Sequence, residues 1–217
     1  MRLRKALAFC VAGAILVAPA IPAQAASFAP TATFKLSSTA LKANPTLTIT
    51  VSQKKGEEEI AKVQLFIPHG FSIPPDSAIN NGEKVGSGTI KVALQPTCDP
   101  ATEQQNPVDI TEKDRSAKQK NGGVFSVWHV NIQNVVTFDL VWRGSVANGF
   151  VGTASIPTTP GTCPPFTFKA TVNKTSSGTH HKILINPATK GTYTFKAIFT
   201  SRPSGTKVTR KQAVTIG

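Results

Sequence analysis

Pro45-Thr46-Leu47-Thr48-Ile49-Thr50-Val51-Ser52 is the stretch whose reading decides the fold. Leu47, Ile49 and Val51 alternate with Thr46, Thr48 and Thr50, so an extended chain puts its apolar side chains on one face and its hydroxyls on the other. That is the signature of a strand in an antiparallel sheet with one solvated face. The charged run Lys54 to Glu59 follows as a turn, and in Ile60 to Pro68 Val63, Leu65 and Ile67 again share a face. The two segments together predict a hairpin.

Working outward, the same alternation predicts strands at Thr31–Leu36, Val85–Leu94, Gly123–Ile132, Val135–Arg143, Phe150–Ile156, Pro165–Val172, Lys182–Ile185, Thr192–Thr200 and Lys207–Ile216. Gly, Pro and Asn punctuate nearly every gap, and no helical stripe exceeds about two turns. About eleven short strands predict an all-β protein, an immunoglobulin-like β-sandwich with additional strands, as one large sandwich or two small ones. The long loop 95–122 interrupts the rhythm. It holds Pro96, Pro100 and Pro107 and no strand candidate, and Asp109 with Glu112 could cap a short helix reaching Gln119. It reads as a surface loop or a binding loop.

The first 25 residues read as an export signal. Arg2, Arg4 and Lys5 precede the apolar stretch Ala6 to Ala18, and Ala23-Gln24-Ala25 offers a cleavage site. That stretch is short of the ~20 residues of a spanning helix, and no later segment comes close. Residues 26–217 then form the β-domain. Removing 25 of 217 residues, three of them cationic, leaves 192 and lowers the formal charge from +13 to +10. The expected location is outside the cell or on the cell wall. The chain stops at Thr215-Ile216-Gly217 with no hydrophobic sorting tail, which favours release or non-covalent retention.

Cys98 and Cys163 remain after cleavage and predict a disulfide in an oxidising compartment. Closing a loop of 64 intervening residues would add about 4 kcal/mol in the chain-entropy reading. Free thiols or a metal site are the alternatives, and the paired Cys/His spacing of zinc is missing.

Residues that could carry chemistry have structural readings beside them. Trp142 shares a face with Val136, Phe138 and Leu140, and Trp128 with Val124, Val130 and Ile132, so both indoles read as core rather than as a sugar-stacking platform. Gly86-Ser87-Gly88 lacks the following helix of a phosphate loop or nucleophile elbow and reads as a glycine-rich strand or bulge. His69, His129, His180 and His181 show no convergent metal spacing. Among the acidic residues, Glu57–Glu59 and Asp109–Asp114 fall in expected surface loops, and Asp139 alone interrupts a strand, on the face of Thr137. Asp139 in an outward cleft within reach of a histidine is the arrangement that would argue for catalysis; otherwise no enzyme, metal or cofactor is expected.

Two basic clusters stand out, Lys113, Arg115, Lys118 and Lys120 in the long loop, and Arg202, Lys207, Arg210 and Lys211 near the end. On one face they would bind a polyanion such as teichoic acid or an acidic polysaccharide of the wall; nucleic acid is not an expected partner outside the cell. Scattered, they protect sheet edges.

Gly191-Thr192-Tyr193-Thr194-Phe195 holds the only tyrosine where a turn enters a strand, and it resembles the tyrosine corner of immunoglobulin-like sandwiches. The resemblance implies an inward ring whose hydroxyl bonds nearby backbone. Phe66–Phe71, Val85–Thr89 and Phe150–Ala154 resemble segments of uncharacterised secreted β-proteins of high-GC Gram-positive bacteria, which implies no catalytic residues. The functional expectation is a secreted or cell-envelope protein that presents a surface, without chemistry of its own, to an anionic wall polymer or another envelope protein. A polyanion-binding module is the alternative, and a hydrolytic enzyme the third reading.

Overall fold

The computed structural model describes residues 27–94, 99, 101, 103–158, 162–172 and 183–217. Residues 1–25, read above as an export signal, lie outside them with Cys98, the His180-His181 pair and the Cys163 side chain, so the expected disulfide falls outside the described residues. Eleven strands are present: β1 Thr31–Leu36, β2 Leu47–Ser52, β3 Ile60–Ile67, β4 Lys84–Leu94, β5 Gln104–Glu112, β6 Val124–Ile132, β7 Val136–Ser145, β8 Gly149–Ser155, β9 Thr162–Val172, β10 Gly191–Ser201 and β11 Lys207–Ile216. One short helix, α1 Ala117–Asn121, and a 3₁₀ turn at Asp76–Ala78 are the other elements among the described residues. No helix among the described residues is long and apolar enough to cross a membrane.

The all-β expectation holds, but the immunoglobulin-like division into two sheets is not what the ladders show. All eleven strands join one antiparallel sheet in the order β1-β2-β9-β4-β5-β6-β7-β8-β3-β10-β11, curled into a nearly closed barrel. Alternation is identical for a sandwich and a barrel, because both bury one face of every strand. Inward sit Leu47, Ile49 and Val51 of β2, Trp128 and Val130 of β6, Leu140 and Trp142 of β7, and Tyr193, Phe195, Ala197 and Phe199 of β10, all buried. Val146 is the one large hydrophobic side chain exposed among the described residues. This is the inverse of a transmembrane barrel, which turns its apolar band outward.

The seam between the first and last strands is closed by side chains. The Gln212 amide of β11 lies against Phe34 of β1: its Oε1 accepts from the Phe34 N–H at 2.8 Å, and its Nε2 donates to the Phe34 carbonyl at 2.7 Å. One side chain thus replaces two rungs of a ladder. Arg210 donates to the carbonyls of Pro30 at 2.8 Å and Ala29 at 3.3 Å on the same seam.

Three sequence expectations change. β2 and β3 form no hairpin: six strands lie between them in the sheet, and β2 pairs with β1 and β9, while β3 pairs with β8 and β10. The interval 95–122 contains β5, whose Val108, Ile110 and Glu112 point inward and are buried; Pro107 is tolerated because its residue lies beyond the end of the β6 ladder. Asp109 and Glu112 therefore cannot cap the helix. Ser116 does so, accepting from Gln119 N at 3.2 Å while Gln119 Oε1 accepts from Ser116 N at 2.8 Å. Of the expected strand 182–185, Lys182 lies outside the described residues, and among 183–185 only Ile185 pairs, as an isolated bridge to Ser72.

One barrel end is filled. Phe71, Ile73 and Ile79 after β3 and Ile183 and Leu184 before β10 are buried there, and Asn186 Nδ2 ties this cap to the carbonyls of Ser38 at 3.0 Å and Ala40 at 2.8 Å. The Tyr193 corner is as expected, its hydroxyl donating to the Thr189 carbonyl at 2.9 Å.

Candidate functional site: an apolar barrel interior

The opposite end is where β3 begins, β8 ends and β10 ends, at Glu59, Ile156 and Arg202. From it an apolar cavity of about 170 Å³ runs into the barrel. Its wall includes Val63 and Leu65 of β3, Phe138 of β7, Phe168 of β9, Phe199 of β10 and both tryptophans. Among its described lining residues only Glu59 and Arg202 are charged, and they mark the mouth.

Alternation assigns Val63, Leu65, Val136, Phe138 and Phe168 to the inner face: Val63 and Leu65 stand opposite the buried Phe199 and Ala197, and Phe168 is two residues from buried Ala170. Yet all five are only half-buried. Inward apolar side chains that stay wet mean an interior open to solvent at one end. Leaving such surface hydrated is unfavourable by roughly 25 cal/mol per Å², which marks it as a site rather than unfinished core.

At the mouth Arg202 joins three segments. Its backbone N–H donates to the Glu59 carbonyl at 2.8 Å, its Nε to Glu59 Oε2 at 3.2 Å, and its Nη2 to the Ile156 carbonyl at 2.6 Å. The preceding loop is less exposed than its charges suggest: Glu57 is buried, against expectation, and the buried Gln53 donates Nε2 to the Glu58 carbonyl at 2.8 Å. Glu58 itself accepts from the Ser204 hydroxyl, and the Ser201 and Ser204 hydroxyls hold its carboxyl below the usual glutamate value.

A second cluster lies on the outer face. Asp139 of β7 stands opposite His129 of β6, with His129 Nδ1 2.8 Å from Asp139 Oδ1 and Lys113 Nζ 2.7 Å from Oδ2. Beside it is a shallow hollow walled by Gln119, Arg143, Thr153 and Ser155. The aspartate–histidine contact named as an argument for catalysis is therefore present. Among the described residues no hydroxyl or thiol hydrogen-bonds the imidazole, and no group of three or more His, Cys, Asp or Glu could hold a metal. The carboxylate instead fastens the segment before α1 to the barrel, together with the Lys113 N–H on the Val127 carbonyl at 2.9 Å and the Arg115 guanidinium on the Val124 carbonyl. Glu112, also expected in a surface loop, is buried there and accepts from the Ser126 hydroxyl at 3.1 Å.

Partial burial works to raise the Asp139 pKa, but the hydrogen bonds and charges of Lys113 and His129 outweigh it and hold the carboxyl below its ordinary 3.8. A depressed carboxyl stabilises the fold fully above its unfolded-state value and loses that contribution as pH falls through the folded-state value. Asp139→Asn is expected to cost at most about 1 kcal/mol at pH 7, the pair being partly solvated. In urea melts, the gap from wild type should narrow as pH drops below 3.8. A gap that widens on acidification would contradict the assignment.

The two basic clusters do not share a face. Lys118 and Lys120 project from α1 beside β6, whereas Lys207 and Lys211 are on β11, five strands away and across the barrel. Lys113, Arg115, Arg202 and Arg210 already bond to Asp139, Val124, Glu59 and the Ala29–Pro30 backbone. No protein-family model matches the chain, and no curated protein matches it in sequence.

Proposed function

We propose that this protein binds a small, predominantly apolar molecule inside its barrel, as a non-enzymatic protein of the cell exterior or envelope. The single observation that supports the reading is the half-buried inner wall of Val63, Leu65, Val136, Phe138 and Phe168 around an apolar cavity of about 170 Å³. A cavity of roughly 150 Å³ lined by aliphatic and aromatic side chains takes up benzene, so the ligand, or the part of it that enters, has the size of a single ring or short chain. Export rests on the Arg2-Arg4-Lys5, Ala6–Ala18 and Ala23-Gln24-Ala25 pattern, and the Cys98–Cys163 disulfide belongs to the same setting. The separation of the basic clusters favours a ligand inside over a polyanion along the surface.

Toluene tests this. A ligand held only by the folded state at about a hundred times its Kd adds about 2.7 kcal/mol, worth several degrees in Tm for a chain of this size. Wild type is expected to gain that increment, and Leu65→Trp, which fills the cavity, to lose it. A wild-type Tm indifferent to toluene would overturn the reading.

A further inference from the structure

We infer that the ligand is a single-chain amphiphile with an anionic oxygen head group, such as a medium-chain carboxylate, held with its head on Arg202 and its tail in the barrel. The inference rests on the cavity reading and adds the polar half of the ligand. Among the described lining residues the charged ones, Glu59 and Arg202, both stand at the mouth, whereas deeper in the wall the polar groups are the uncharged indole N–H of Trp128 and Trp142. A charged head group therefore finds its counter-charge at the mouth, with its tail inward.

Arg202 suits an oxyanion better than its ion pair with Glu59 suggests. A guanidinium carries five N–H donors. Here Nε serves Glu59 and Nη2 serves the Ile156 carbonyl, which among the described residues leaves Nη1 and the second Nη2 hydrogen for a head group. The two side-chain bonds, to Glu59 and Ile156, set the plane of the fork before a ligand arrives, so little rotamer freedom remains to be lost on binding. The side chain remains one-third exposed, within reach from the solvent side. The formal charge, +13 for the whole chain and +10 without residues 1–25, adds a field that draws anions toward the molecule.

Tail length follows from volume. From the benzene-sized precedent, 170 Å³ accommodates about six to eight carbons, running along Val63 and Leu65 toward Phe138 and Phe199. A sixteen-carbon chain would leave much of its length outside.

Octanoate, 1-octanol and octylamine share a tail and differ in head charge, and calorimetric titration of the full chain at pH 7 separates the possibilities. Octanoate is expected to bind more tightly than octylamine. Arg202→Gln should weaken octanoate about tenfold, as expected for a lost charge-assisted contact, and leave 1-octanol within about twofold, which also reports that the variant is folded. In wild type, octanoate binding should weaken with added salt while 1-octanol binding does not, a readout that requires no variant. If neither octanoate nor 1-octanol binds, the cavity reading itself falls. If 1-octanol binds but octanoate is indifferent to both Arg202→Gln and salt, the cavity stands and the head-group assignment is overturned. Octylamine binding more tightly than octanoate would move the anchor to Glu59 and reject it as well.

Discussion

Gly88→Val is expected to cost about 4 kcal/mol or more, enough to leave the chain largely unfolded in water. Gly88 lies on the inner face of β4, paired with Ala170 of β9 on one side and Val108 of β5 on the other. A Cβ there would overlap the Lys169 carbonyl oxygen outright and stand 2.7 Å from the Ala170 Cα. The obstacle is backbone, and that backbone is itself held by β2 through Thr50 and Ile49 opposite Lys169 and Ala170, so it has nowhere to retreat. Only a residue without a side chain lets β4 and β9 approach so closely. Ser87→Val, one residue away on the outer face, should stay within about 0.5 kcal/mol, because surface changes clear of such contacts seldom exceed that. Urea melts of the two variants, followed by tryptophan fluorescence, compare the positions directly; comparable losses at both would refute the close-approach argument.

Trp142→Ala ranks second, with an expected loss of 3–5 kcal/mol, the usual range for deleting a large buried aromatic. The ring is 2% exposed and meets Trp128 edge-on with centroids 5.0 Å apart. Its six-membered edge is accommodated by Gly152 of β8, directly opposite in the ladder, where an added Cβ would come within 2.8 Å of the ring. The large and small residues are therefore one unit. Gly152→Ala should destabilise the wild type and be nearly neutral in a Trp142→Leu background, giving a coupling energy of about 1 kcal/mol or more in a double-mutant cycle. Additive losses would show that the two positions do not share the space.

Both effects trace to residues whose environment was partly legible beforehand. The Leu47-Ile49-Val51 alternation, the inward tryptophans and the assignment of Gly86-Ser87-Gly88 to a strand all follow from period two, a local property of extended chain. Pairing is not local. Nothing within Pro45 to Pro68 reveals that β2 finds β9 more than a hundred residues later, so the nearest apolar segment was the wrong partner. β5 escaped notice because its inward face reads Val108, Ile110, Glu112, and a buried carboxylate breaks the apolar pattern just where Pro107 breaks the propensity. The strand count agreed because this omission offset the expected 182–185 strand, of which residues 183–185 form only the Ile185 bridge.

The candidate site was the least legible part. Val63, Leu65, Phe138 and Phe168 look in the sequence like any core residues, since hydrophobic pattern reports the direction of a side chain and not whether the space it enters is filled. Arg202 and Asp139 were both noted, but their partners, Glu59 and His129, come together only through ladder register. Charge density pointed instead to lysine clusters, which curvature of the sheet carries to opposite sides.

The Gln212 seam bears on biogenesis. Because the first strand to leave the ribosome must lie beside the last, a nascent chain lacking its final ten residues has two raw edges and no means of joining them. Closure of the seam is thereby deferred until β11 is available, and the long sequence separations of the ladders make assembly slow as well.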